Sequence, residues 1–196
     1  MEGTNPVNKK LAAALSGGAV LVLALSGCGG DDSSEKLNSW AKEVCDEVQP
    51  QAKKIEAANT SIQKQTSDNS TPADVQKTDS QAFQDMSDAY KAIGAAVNKA
   101  GAPDVEDGEK KQADAVKELN GISTSYADLK KQVDALDTKD QGKFADGLKD
   151  IATELDKLGQ SGNVSLNKLQ EGEVGQAMAK QESCKSASGS PSATNG

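Results

Sequence analysis

Apolar residues recur at steps of three and four along most of the chain, which is the spacing of one face of a helix. Five segments carry this pattern, at residues 37–62, 83–97, 116–136, 144–158 and 164–184. No stretch of four or more residues alternates apolar and polar positions with an excess of β-branched side chains. The hydrophobic pattern therefore predicts an all-α protein.

Local signals set the predicted ends of these helices. The first helix is expected to begin near Ser34, a good N-cap residue, and Pro50 is expected to kink it or split it in two. The next three are predicted at 71 or 79 to 101, at 104 or 107 to 136, and at 138 or 140 to 158. A short last helix follows Gly172. Four long helices with short connections predict an up-and-down four-helix bundle with a kinked first helix and a short last helix.

The N-terminal segment has the layout of an export signal. Lys9 and Lys10 precede an uncharged stretch at 11–25, and small residues follow it at 26–27. The stretch is too short for a permanent membrane-spanning helix, so we expect residues 1–27 to be a cleaved signal peptide. Residues 25–28 (Leu-Ser-Gly-Cys) resemble a lipobox, which makes Cys28 the predicted lipidation site. An ordinary secretory signal with a chance cysteine at the cut is the alternative.

Composition divides the rest of the chain into three parts. Residues 28–34 are small and polar, and they are predicted to form a lipidated tether. Residues 35–184 hold the helical pattern and are the predicted bundle domain. Residues 185–196 contain few apolar side chains, so we expect a disordered C-terminal tail.

The three cysteines are predicted to serve two purposes. If Cys28 carries lipid, Cys45 and Cys184 remain, near the two ends of the helical region. Export places them in an oxidising compartment, which favours one structural disulfide between them. The alternatives are a redox pair, which is usually close in sequence, and a metal site, which would need further Cys or His ligands. We predict the disulfide and no metal.

Composition also limits the chemistry. The chain has no His and no Arg, and its 22 Lys against 30 Asp and Glu give a net charge of −8. Catalytic systems built on His are therefore absent, and an acidic chain of this kind is not expected to bind nucleic acid. The acidic residues at 104–109 are explained by the positive end of a helix that begins there. We predict a protein that is not an enzyme, with no catalytic residue and no cofactor.

The chain resembles the small secreted proteins and lipoproteins of actinobacteria. The resemblance rests on the lipobox at 25–28, on Trp40 and Cys45 early in the first helix, on the segment 101–107, and on the late Cys184. It implies an extracytoplasmic location and a helical fold. It supplies no catalytic residue.

Three classes of function follow as hypotheses. The first is a non-catalytic binding or structural module, anchored to the cell membrane through Cys28 on the extracytoplasmic face and partly released to the medium. Its partner would be an envelope protein or a cell-wall component. The alternative is a carrier that holds a small apolar ligand between the helices, in a pocket lined by Phe83, Tyr90, Tyr126 and Phe144. The third is an enzyme that uses carboxylates alone.

Overall fold

The computed structural model describes residues 30–65, 70–161 and 164–187, and the regular structure in those ranges is helical throughout. This confirms the all-α prediction. The helices are α1 (Gly30–Gln65), α2 (Pro72–Ala100), α3 (Gly108–Asp134), α4 (Gln141–Ser161), α5 (Val164–Leu169), α6 (Gly172–Ala179) and α7 (Glu182–Ala187).

Helix α1 is longer than predicted at its start and continuous in its middle. It begins at Gly30, so residues 30–34 of the expected tether belong to the helix. It also runs through Pro50 as a single helix, so the predicted split in two is wrong. Pro50 is exposed, and a proline in a helix removes one backbone hydrogen bond, a loss that α1 tolerates because both of its halves pack on the rest of the domain. A kink at Pro50 stays a prediction.

Side-chain hydrogen bonds fix the start of α2. Helix α2 begins at Pro72, the earlier of the two predicted starts, because the Thr71 hydroxyl caps it by accepting a hydrogen bond from the Asp74 amide at 3.2 Å. The Gln76 amide donates to the carbonyls of Val133 and Leu136, both at 2.9 Å. The start of α2 is thereby joined to the end of α3.

The C-terminal region is more broken than predicted. One short last helix was expected after Gly172, and α6 does begin there, but α5 precedes it and α7 follows it. Gly172, the first residue of α6, has a positive φ of 64°, a conformation that favours glycine. The predicted tail also starts too early, because residues 185–187 belong to α7.

Helix α2 contacts both α1 and α3 extensively. Buried apolar side chains of these and the other helices form two clusters. The upper core contains the N-terminal half of α1 and consists of Leu37, Trp40, Ala41, Val44, Ile93, Val97, Ala115, Leu119, Leu169, Val174 and Ala177. The lower core consists of Ala58, Ala82, Phe83, Met86, Leu129, Val133 and Ile151.

Hydrogen bonds join the helices at two further levels. Between α2 and α3, the buried hydroxyls of Ser87 and Ser123 each donate to the other residue's carbonyl at 2.8 Å. Near the upper end, the Trp40 indole N–H donates to the Gly101 carbonyl at 2.8 Å. These bonds satisfy polar groups that would be costly to bury alone, and they fix the three long helices against one another.

Candidate ligand-binding cavity

An apolar cavity of about 750 Å³ lies in the upper half of the domain, between α1, α2, α3 and the short C-terminal helices. Helix α1 supplies one wall through Val44, Val48, Ala52 and Ile55, which follow one another at steps of three and four residues. Val48 and Ile55 are only partly buried, although both contact the upper core. The amphipathic face of α1 thus continues past the packed core into the cavity.

Helices α2 and α3 form the inner wall. Tyr90, Ile93 and Val97 of α2 line it, together with Leu119 of α3. Ile93, Val97 and Leu119 also belong to the upper core, so their other sides are tightly packed. This wall is therefore apolar and rigid, with the phenol ring of Tyr90 as its polar element.

The outer wall is built from short helices and small side chains. Leu166, Leu169, Gly175, Met178 and Ala179 contribute to it. A Cβ atom on Gly175 would lie 1.9 Å from the Gln170 carbonyl oxygen. Only glycine at this position therefore allows α6 to approach the turn after α5.

A disulfide joins this outer wall to α1. Cys45 and Cys184 are bonded across 139 residues of sequence, with their Cα atoms 5.0 Å apart. The predicted pairing is confirmed. Cys184 also lines the cavity, so the bond holds α7 beside the ligand-sized space as well as closing the chain.

The aromatic residues occupy other places than predicted. Of the four side chains expected in a pocket, Tyr90 alone lines the cavity among the described residues. The Tyr126 ring stacks on it, with ring centroids 5.6 Å apart and an interplanar angle of 8°. Phe83 lies 6.2 Å from Tyr126 in the lower core, and Phe144 is buried elsewhere. The expected lining is therefore wrong for Phe83, Tyr126 and Phe144.

Burial keeps both tyrosines neutral. It raises the pKa of Tyr90, and burial together with the neighbouring Tyr90 raises the pKa of Tyr126 to about 12. Both phenols are therefore protonated at any physiological pH. Tyr90 therefore adds ring surface to the cavity without a charge, and Tyr126 supports that ring from behind.

A second concave region, the acidic cleft, lies at the upper end of the molecule and has a volume of about 1190 Å³. Its carboxylates are all exposed, and they are Asp32, Glu35, Glu43, Asp104, Asp107 and Glu109. Among the described residues, no three Asp, Glu, Cys or His side chains are placed so that they could hold a metal ion together. Glu109 lies in the first turn of α3, as expected of an acidic residue that stabilises a helix start.

Asp79 is the one ionisable side chain that is buried in the described part of the chain. Burial raises its pKa from 3.8 to about 6. It lies in the N-terminal half of α2, whereas the cavity contacts the C-terminal half of that helix. Asp79 therefore affects stability in the lower half of the domain and does not contribute to the cavity.

The predicted lipidation site is not part of this picture. Cys28 and the signal peptide lie outside the described residues. None of the helices described is both long enough and apolar enough to cross a bilayer. The structure therefore bears on the domain that the anchor would carry, and the anchor itself stays a prediction.

Comparison with known proteins adds no relative. No family model, no curated protein and no solved structure matches the chain. The resemblance to actinobacterial lipoproteins therefore stays a prediction from the sequence.

Sequence reasoning missed most of the cavity-lining residues. The sequence places Val48, Ala52 and Ile55 on the apolar face of the first helix, but a helical apolar stripe does not reveal whether anything fills the space in front of it. One signal was available. Residues 172–179 (Gly-Glu-Val-Gly-Gln-Ala-Met-Ala) are rich in small side chains, and a short helix of small side chains cannot fill the same volume as a long, leucine-rich one.

Proposed function

We propose that this chain is a lipid-anchored extracytoplasmic protein whose helical domain binds a small apolar ligand in the cavity. The location is supported by the sequence, through the basic, apolar and small-residue segments that end at Cys28. The binding role is supported by the structure, through the cavity beside α1. A diacyl anchor would hold such a carrier at the outer face of the membrane.

The cavity is the observation that carries the binding role. Its volume of about 750 Å³ lies within the range typical of small-molecule sites, and its walls are predominantly apolar. A space of this size, rigid on its inner side and joined by a disulfide on its outer side, suits a ligand better than it suits a packed core.

The architecture that goes with this proposal is a four-sided, up-and-down bundle. Helices α1, α2 and α3 form three sides, and the hydrogen bond between Gln76 at the start of α2 and Val133 at the end of α3 supports an antiparallel order of those two helices. The fourth side is divided, with α4 over the lower core and α5–α7 over the upper core. The cavity lies where the cover is made of short helices.

The two other classes of function have less support. Docking of a protein partner on an apolar patch would need exposed large hydrophobic side chains, and Val164 is the one that the described residues expose. Catalysis by carboxylates would need a pair held in a partly buried site, whereas the carboxylates of the acidic cleft are all exposed. Absence of enzymatic activity stays a prediction.

The binding role can be tested with the neutral apolar dye N-phenylnaphthylamine, whose fluorescence rises in an apolar site. The mature chain with its disulfide intact should bind the dye saturably. Ala52→Phe places a ring in the cavity and should weaken binding by roughly tenfold. Ala95→Phe makes the same change on an exposed position of α2, and it should leave binding unchanged within about twofold. Equal effects of the two variants, or no saturable binding, would contradict the role.

The anchor is tested separately. Cys28→Ala should release the protein from the membrane fraction of expressing cells into the medium, whereas the parent chain should stay with the membranes. Retention of the variant would exclude lipid attachment at this position. The dye assay does not depend on the anchor, so the two halves of the proposal succeed or fail independently.

A further inference from the structure

The charges around the cavity indicate which kind of apolar ligand it takes. Among the described side chains that line it, Lys185 alone is charged, and none is acidic. This contrasts with the whole chain, in which acidic residues outnumber lysines by 30 to 22. It contrasts also with the acidic cleft, which six carboxylates line. The cavity is therefore the concave surface of this acidic protein that is electrostatically suited to an anion.

Lys185 is placed at one end of the cavity. It follows Cys184, which is bonded to Cys45 of α1, next to the lining residue Val44. The opposite end is formed by Ile55 and Tyr90, which carry no charge at physiological pH. The cavity thus has one cationic end at Lys185 and one uncharged end at Ile55 and Tyr90.

The ammonium group of Lys185 can accept a new partner at little cost. Its Nζ atom lies 2.6 Å from Glu182 Oε1, and the two side chains are 53% and 87% exposed. Exposed ion pairs of this kind contribute little to stability. A ligand carboxylate or phosphate could therefore replace Glu182 beside Lys185 while its apolar part enters the cavity.

The shape of the cavity favours a chain over a compact ring system. Its α1 wall extends from Val44 to Ile55, which at the rise of a helix is about 16 Å. Carbon–carbon bonds are about 1.5 Å long, and a zigzag chain advances slightly less than that per bond, so about a dozen carbons fill this length.

Building on the proposed ligand-binding role, we propose that the cavity binds a single-chain amphiphile with an anionic head group. The head lies at Lys185, and an alkyl chain of about a dozen carbons extends along α1 toward Ile55 and Tyr90. A free fatty acid and a single-chain phospholipid share this chemistry. Their head groups differ, so a direct comparison of the two identifies the source.

The test is displacement of N-phenylnaphthylamine from the mature, disulfide-bonded chain by ligands with the same alkyl chain, each kept below its micelle concentration. Dodecanoate, dodecanol and dodecyltrimethylammonium vary the head charge, and lauroyl lysophosphatidate supplies a phosphate head. We expect both anions to bind more tightly than the cation by roughly tenfold. The tighter of the two anions identifies the natural head group.

Two matched variants assign the effect to one side chain. Lys185→Gln should reduce the affinity for dodecanoate relative to dodecanol by roughly fivefold to tenfold. Lys180→Gln removes an equally exposed lysine that does not line the cavity, and it should leave that ratio unchanged. Circular dichroism and dodecanol affinity report whether each variant is folded.

The possible failures can be told apart. If the dye and dodecanol bind but the anion shows no preference over the cation, or if Lys185→Gln leaves the ratio unchanged, the head-group assignment is wrong and the binding role stands. If neither the dye nor any of the amphiphiles binds, the binding role itself is wrong, and this inference fails with it.

Discussion

The lower and upper halves of the domain share helices α1, α2 and α3 but differ in which further helices pack over them. The lower core is covered by α4, whose Leu148, Ile151, Leu155 and Leu158 form an unbroken stripe over it. The upper core is covered by α5, α6 and α7, of six, eight and six residues. The three short helices leave an apolar cavity of about 750 Å³ beside the upper core. In the lower half, a concave space of about 780 Å³ lies between α1 and α2, and polar side chains form most of its lining.

The length of the helices that pack over each core accounts for this difference. A long amphipathic helix presents large side chains at regular steps and can fill the groove between its neighbours. Helices of one or two turns are unstable alone and need tertiary contacts to form. In the upper half a disulfide and a close glycine contact supply those constraints. The disulfide and the close approach at Gly175 therefore hold the short helices in place over the upper core.

The largest effect should come from removing the disulfide. Closing a loop of 139 residues corresponds to about 5 kcal/mol in the chain-entropy model. The double variant Cys45→Ala, Cys184→Ala should lose much of that in urea denaturation. Hydrogen exchange should rise more in α6 and α7 than in α4, because the disulfide restrains the short helices over the upper core and does not touch α4. Equal increases in both covers would contradict the division of the domain into two halves.

Truncating one isoleucine in the lower core and one that lines the cavity should distinguish a fully packed side chain from one that faces open space. Ile151 is 3% exposed in the lower core, and Ile151→Ala should cost about 3 kcal/mol of unfolding free energy. Ile55 lines the cavity and is only partly buried, so Ile55→Ala should cost about 1 kcal/mol. Both are measured by chemical denaturation. Similar costs would mean that the cavity collapses around Ile55 in solution.

The stability of the lower half should depend on pH through the buried carboxyl group of Asp79. Its pKa is raised from 3.8 to about 6, so the folded state binds a proton more tightly than the unfolded state does. Its unfavourable contribution is absent below about pH 4, grows between about pH 4 and 6, and reaches on the order of 2 kcal/mol at neutral pH. Asp79→Asn should therefore stabilise the protein at pH 7 but not at pH 4.

Denaturation of the two proteins across this pH range isolates Asp79, because the other carboxyl groups contribute equally to both. Hydrogen exchange should locate the gain at pH 7 in the first half of α2. A constant difference between the proteins at all pH values would show that Asp79 titrates normally.

The smallest effect should come from a pair of glycines. Gly175→Ala brings a Cβ atom against the Gln170 carbonyl oxygen, and it should destabilise the upper cover by roughly 1 to 2 kcal/mol. Gly121→Ala adds the same methyl group to an open, exposed position of α3, where alanine favours the helix by about 0.5 to 1 kcal/mol. Thermal denaturation should therefore shift in opposite directions. A stabilising Gly175→Ala would mean that α6 does not approach the preceding turn.

Helix identity and the start of α2 could be predicted because they depend on local signals. Thr71 with Pro72 is a capping pattern whose effect is complete within one turn. The course of α1 through Pro50 could not be predicted in the same way. One missing hydrogen bond argues for a break, but packing of both halves of the helix on the domain outweighs it.

The candidate site illustrates the same limit. Tyr90 and Tyr126 are both aromatic residues on helical apolar faces, yet Tyr90 lines the cavity, and Tyr126 stacks behind it against the lower core. Spacing along a helix places a side chain on a face but does not identify its neighbours. The position of Lys185 at the cavity was equally hard to predict, because it depends on how the first residues of the predicted tail fold.

The sequence by itself determined the helical class, which depends on local periodicity, and the pairing of Cys45 with Cys184, which followed from the number and position of the cysteines. Only the tertiary structure decided that an apolar cavity lies beside the upper core, whereas the concave space in the lower half is lined mainly by polar side chains. That outcome depends on how the volumes of side chains from distant parts of the chain add up, and no local pattern in the chain specifies such a sum.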